Sequence, residues 1–260
     1  MCYDVSFTVD IKELADYFPD LIWDPQVSIK FDYSPHIMGH AYGKQPIIFR
    51  NREDMKLHLT LMEWGCIPFY VKDESEFKVK RANMLNARSE KVLNDKGSYW
   101  FKIRNRRCLI PITGFYEHNE AEGFKNKIPY LVSLKNQKVF FLPGLYSVVE
   151  LPDKETGEMI KRFTYTIVTR AANNVMKAIH NGGPNAGRMP LMLPLDFSKK
   201  WLEEDLSEVV YRQILDYKMA DQELGYKTVW TIRSPKMRPD DKAKNEEFIW
   251  ENLKPLEIID

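Results

Sequence analysis

The chain has 260 residues, 44% of them hydrophobic and 13% aromatic, enough to bury a sizeable core in one large domain or two small ones. A net charge of +1 does not by itself point to nucleic acid, and no stretch approaches the roughly 18 consecutive apolar residues of a membrane span. The cysteines, Cys2, Cys66 and Cys108, are widely spaced with no CxxC pair, so neither a disulfide framework nor a zinc site is expected. With no basic-then-apolar leader at the start, the expectation is a protein of the reducing cytoplasm, without metal or cofactor.

In chain order, the first element is a strand from Val5 and Phe7, immediately behind "MC". Cys2 there packs as a small hydrophobe, or it becomes chemically special: if Met1 is removed, one α-carbon carries both a free amine and a thiol. "DIKELADYF" predicts a short helix capped by Asp10. "KLHLTLMEWG" alternates Leu57, Leu59 and Leu61 with polar neighbours, a half-buried strand. "RCLIPITGFYEH" reads as a strand broken by Pro111 and Gly114, and "PYLVSL", "KVFFLPGLY" and "FTYTIVT" as three more. Thr169 is placed near the cap of a helix over "RAANNVMKAIH". "DFSKKWLEEDLSEVVYRQILD" is helical with acidic interruptions, and "KTVWTI" is a late strand. Strands dominate the middle without alternating with helices, which predicts an α+β fold with a curled, mostly antiparallel, barrel-like sheet and peripheral helices. No linker stands out, so residues 1–260 are expected to form one domain.

From Lys78 to Arg107 ten basic residues face only Glu90 and Asp95, a local +8. Such a block is either a phosphate-binding face or a solvated surface. Within it, "LNARSE" holds Asn86 and Arg88, donors suited to phosphate and sugar oxygens. Glu117, in "GFYEH", is either a desolvated carboxyl with a raised pKa or a strand-end glutamate in water. His180 ends a helix before "NGGPNAGRMP", where it either titrates near neutral pH or caps the helix. His36 and His40 lie in a Pro- and Gly-rich stretch and are not read as metal ligands. No P-loop, GxGxxG or GxSxG occurs.

Taken in order, Met1-Cys2, "WGCIP", "NARSE", "RCLIPITGFYEH", "FLPGLY", "TIVT" and "IH" followed by "RMPLML" resemble the SRAP family (SOS response associated peptidase), over residues 1 to about 205. The resemblance implies a sensor of abasic sites in single-stranded DNA, acting in the DNA damage and SOS response. It also implies removal of Met1 by autoproteolysis, thiazolidine capture of the opened sugar by Cys2, and a peptidase or lyase activity. Carried over residue by residue, Cys2 is the nucleophile, Asn86 and Arg88 hold the abasic nucleotide, and Glu117 and His180 complete the catalytic set. Tyr3 and Asp4 depart from the Gly and Arg common in the family, His118 stands where Trp is common, and "GGPNAG" lengthens a loop. Residues 206–260 carry no family motif and are expected to pack on the same domain.

The chemistry suits an N-terminal cysteine. An α-amine of pKa about 7.7–8.0 and a thiol of about 8.5 are mostly protonated at neutral pH. Glu117 is therefore the expected base and His180 the expected acid. A monomer on single-stranded DNA, away from membranes, is the expected working form. Two other readings stand beside this one. A non-catalytic single-strand-binding module would stack bases on Trp100, Phe101 and Tyr116. An N-terminal-nucleophile amidohydrolase would need Cys2 but no DNA.

Overall fold

A computed structural model of the chain describes residues 2–31, 33–153 and 155–258. Its strands are β1 (Asp4–Phe7), β2 (Ile22–Trp23), β3 (Ser34–Met38), β4 (Lys44–Arg50), β5 (Leu57–Trp64), β6 (Asn86–Arg88), β7 (Arg107–Ile112), β8 (Gly114–Asn119), β9 (Ile128–Leu134), β10 (Phe140–Pro152), β11 (Met159–Ala171), β12 (Arg188–Pro190) and β13 (Leu224–Thr228). Strands β11, β10, β7, β4 and β5 pair in that order. The parallel pairing of β5 with β11, Glu63 opposite Thr164 and Trp64 opposite Tyr165, closes them into a barrel. An open sheet of order β13-β9-β8-β1-β3 leans on it. The α+β, barrel-like fold read from the sequence is what the chain adopts.

Alternation along the strands divides the core in two. Ile47, Phe49, Met62, Trp64, Cys108, Ile110, Leu142, Tyr165 and Ile167 belong to one buried cluster, which also takes in Phe115 and Val132 of the open sheet and Cys2. The intervening residues Ile48, Leu59, Leu109, Phe141 and Val168 belong to the other. They pack under Leu14, Trp201, Tyr211 and Ile214 of the surrounding helical segments. Gly144 lets β10 bend tightly between its neighbours: a Cβ there would lie 2.5 Å from both Ile110 Cδ1 and the Thr166 carbonyl oxygen.

Several local expectations shift. Asp10 does cap, accepting from Lys12 N–H, but a 3-10 turn at Ile11–Glu13 precedes the helix Leu14–Tyr17. Pro111 sits inside β7, and the break falls at Thr113. Thr169 lies in β11, and the helix Asn174–Ile179 is capped by Asn173, whose side chain accepts from Met176 N–H. The long β10–β11 hairpin carries β11 past Thr169, displacing the helix start. The late strand is Leu224–Thr228, registered on β9 from Leu134 to Tyr130, ahead of the expected "KTVWTI".

The basic block is not a single phosphate face. Arg81 is buried and bonds Glu63 Oε2 and Glu74 Oε1, each at 2.8 Å. Arg162 joins the same two carboxylates, through Nε to Glu63 at 2.9 Å and Nη1 to Glu74 at 2.7 Å. This network ties the helix Glu74–Arg81 to the β5–β11 seam. Arg107 is also buried and donates to the carbonyls of Trp201, at 2.8 Å, and Glu204, at 2.9 Å, at the end of the helix Leu195–Trp201. Trp100 and Tyr116 are buried too, and Tyr116 OH donates to the Pro35 carbonyl. Neither ring offers a face for stacking bases.

Candidate active site

Cys2 enters the fold two residues before β1 and is fully buried. β1 pairs with β8, Val5 opposite Phe115 and Ser6 opposite Gly114, so the N-terminus runs beside the strand that carries Glu117. Side chains alternate along β8. Phe115 joins the barrel-side cluster and Asn119 Nδ2 donates to the Ala178 carbonyl at 2.8 Å. Glu117, between them, shares that face and is buried against the end of the helix Asn174–Ile179. Tyr116, on the opposite face, packs with Val229 and Ile232.

His180 follows that helix as its C-cap, its N–H donating to the Met176 carbonyl at 2.8 Å. Its ring is placed by a second bond: Nδ1 donates to the Arg188 carbonyl at 2.9 Å, which fixes the proton on Nδ1 and leaves Nε2 as the acceptor. Nδ1 stands 3.8 Å from Glu117 Oε2. His180 therefore caps the helix through its backbone N–H and places its ring beside Glu117.

Asn86 is 6% exposed. Its Nδ2 donates to the Cys2 carbonyl at 2.8 Å, so this member of the Asn-Ala-Arg triplet fixes the backbone of Cys2. β6 is itself held by parallel pairing to β11, Asn86 opposite Ile167 and Arg88 opposite Thr169. Arg88, two residues on, is exposed. Nearby in sequence, Glu90 Oε1 is met by Arg188 Nη1 at 2.5 Å.

Burial sets the proton affinities. Burial, with the Glu117 charge adding to it, pushes the Cys2 thiol well above its usual value. Burial pushes the Glu117 carboxyl up to about 8, and it pushes His180 down. Near neutral pH Glu117 is thus predominantly a protonated acid and His180 a neutral imidazole. That order is the reverse of the one expected from sequence, because both groups are desolvated and desolvation disfavours the charged form of each.

Glu117 and His180 line a cleft of about 550 Å³ bounded also by Tyr3, Asp4, Pro184 and Arg233, whereas Cys2 is fully buried and does not line it. The loop after His180 forms one wall, where Asn181 accepts from Glu120 N–H at 2.8 Å and returns a bond to the Glu120 carbonyl at 3.1 Å. Burial lowers His118 to about 4, so this neighbour adds no charge. Arg233 is the residue that sequence reasoning missed. It comes from a segment with no motif, and its partner Asp4 is 229 positions away.

A barrel flanked by an open sheet thus buries the Cys2 thiol near a carboxyl and an imidazole. The chain belongs to the SOS response associated peptidase (SRAP) family, whose model matches residues 1–231. It is 33% identical over 231 residues to abasic site processing protein YoaM of Bacillus subtilis, covering 88% of each chain. It is also 33% identical over 180 residues to abasic site processing protein YoqW of the same organism, covering 68% of this chain and 72% of that one. Among solved structures, a protein from Bacteroides thetaiotaomicron superposes with a TM-score of 0.74 at 26% identity, covering 94% of this chain and 97% of that one.

Proposed function

We propose that this protein captures abasic sites in single-stranded DNA as a covalent thiazolidine at Cys2. The observation that carries the proposal is the anchoring of Cys2 by Asn86 beside the Glu117–His180 pair. The family membership and the names of the relatives support it. Met1 lies outside the described residues. Its removal makes the Cys2 amine the chain terminus and is the first step of this reading.

The abasic sugar is mostly a closed hemiacetal. Glu117, protonated, gives a proton to the ring oxygen while Nε2 of neutral His180 takes the proton of the anomeric hydroxyl, and the aldehyde opens. An α-amine of pKa about 7.7–8.0 has a usable free-base fraction near neutral pH. It adds to the aldehyde carbon and one water leaves, giving an imine. Sγ then adds to the imine carbon and the thiol proton ends on nitrogen, closing the five-membered ring. One aldehyde, one amine and one thiol become a thiazolidine and a water.

Arg88, exposed to solvent, contacts the DNA backbone in this reading. The protein works as a monomer and one domain over residues 1–260, in the cytoplasm, as part of the response to DNA damage. Autoproteolytic loss of Met1 is the peptidase activity it needs. The test is a denaturing gel. Mature protein with single-stranded DNA carrying one abasic site gives a heat-stable adduct, Cys2→Ala gives none, and both bind the DNA. An equal adduct yield from Cys2→Ala contradicts the proposal.

A further inference from the structure

Beyond β13 the chain stays on the open sheet. Val229 N–H donates to the Pro129 carbonyl at 3.0 Å, and Val229 and Ile232 bury against Tyr116 of β8. The segment that follows folds back on itself. Arg238, buried, donates to the carbonyls of Ala243 at 2.9 Å, Glu246 at 2.8 Å and Glu247 at 2.6 Å. Trp230 stacks on Trp250 with ring centroids 5.1 Å apart. Arg233 is therefore delivered by a built element.

Its side chain crosses to β1. Nε donates to Asp4 Oδ1 at 2.9 Å and Nη2 to Oδ2. The Asp4 side chain is 2% exposed and that of Arg233 43%, so the carboxylate lies behind the guanidinium and the cation faces the cleft. His36 Nε2 donates to the same Oδ1 at 2.8 Å, so Asp4 is held from two sides. A guanidinium pinned through Nε and Nη2 has a fixed plane. Nη1 makes no hydrogen bond among the described residues and remains as a directed donor pair. The other cation lining this cleft, Lys127, is drawn to Glu120 at 2.8 Å. Tyr3, Glu117 and His180 line the same cleft.

We propose that Arg233, set on Asp4 by the C-terminal segment beyond the family-matched residues, is the phosphate anchor of the cleft. It receives a phosphodiester of the strand whose sugar reaches Cys2. Arginine suits this role because, with its Nε–Nη2 edge set on Asp4, its Nη1 donors still point outward to phosphate oxygens, and a fixed plane lowers the ordering cost of the contact. The inference rests on the capture reading for the identity of the strand. It differs from that reading in assigning a contact to a residue outside the motifs.

The experiment measures affinity for an intact single-stranded oligonucleotide without an abasic site, as a function of salt. Capture by the same proteins is measured separately. Arg233→Gln is expected to weaken binding several-fold and flatten the slope of log K against log salt by about 0.7, the share of one phosphate contact on a single strand. Arg233→Lys is expected to keep the slope. Asp4→Asn keeps it too, because the cation remains. If Arg233 only straps the C-terminal segment down, Arg233→Gln and Asp4→Asn lower the melting temperature alike and neither changes the salt slope, which overturns the proposal. If the wild type gives no adduct while Arg233→Gln still flattens the slope, the capture reading fails and the phosphate contact stands. If the adduct forms and Arg233→Gln leaves affinity and slope unchanged, the capture reading stands and this inference fails.

Discussion

Asn86 Nδ2 donates to the carbonyl of Cys2 at 2.8 Å, and through β6 and β11 that bond ties the start of the chain to the barrel. A terminus with few contacts is normally poorly ordered. Here one buried side chain supplies a fixed point at Cys2. Asn86→Ala leaves the Cys2 carbonyl unpaired and should cost on the order of 1–3 kcal/mol. Capture should slow with it, because a mobile amine and thiol lose their orientation. Thermal melts and capture rates of the variant check both effects; an unchanged melt together with an unchanged rate contradicts the role.

Glu117 makes stability depend on pH in a definite direction. The unfolded carboxyl titrates near its ordinary 4.5 and the folded one near 8. Between these values the folded protein binds the extra proton, so its stability falls as pH rises across that window. The total is on the order of a few kcal/mol. Glu117→Gln keeps the neutral shape and should flatten this slope. Denaturant midpoints taken across the window test it, and an identical slope in the variant refutes the assignment.

His180 is separated from its capping role by the choice of substrate. His180→Ala should slow capture of a natural, mostly closed abasic site roughly 10²–10⁴-fold, the usual worth of a positioned acid–base group. A simple aliphatic aldehyde is already open and should react with Cys2 almost as fast as before. Equal slowing on both substrates assigns His180 to scaffold alone.

The Glu63–Arg81–Glu74–Arg162 network predicts an asymmetry. Arg81→Ala leaves Glu63, whose carboxyl is held low by Arg162 and Arg81 against its own burial, short of a partner at the barrel seam. The expected cost is about 3–5 kcal/mol. Replacing Glu63 and Arg81 together by apolar residues of similar volume should cost far less. Urea titrations of the single and double variants decide; a double variant as unstable as the single one argues against a charge-pairing role.

Much of the barrel is legible in the sequence: β5 through the alternation of Leu57, Leu59 and Leu61, and β7, β10 and β11 as apolar runs bounded by turns. β4 is not, because Ile47, Ile48 and Phe49 bury on both faces and leave no alternation to read. The partners of the site are not legible, because they are set by register between strands far apart in the chain. Nothing near "NAR" says that Asn86 reaches residue 2, and nothing in the tail says that Arg233 reaches Asp4. Charge counting misled for a related reason. Arg81 and Arg107 add to the basic block in sequence, yet each is consumed inside the fold. The protonation states of Glu117 and His180 are opposite to those expected because burial, which the sequence only hints at, decides which form of each prevails.

The most direct test is the intact mass of the protein after incubation with a short single-stranded oligonucleotide bearing one abasic site. The account predicts a species equal to the chain lacking Met1 plus the oligonucleotide minus one water, absent in Cys2→Ala. A chain that keeps Met1 and still forms an adduct, or an adduct that persists in Cys2→Ala, contradicts capture by an N-terminal cysteine.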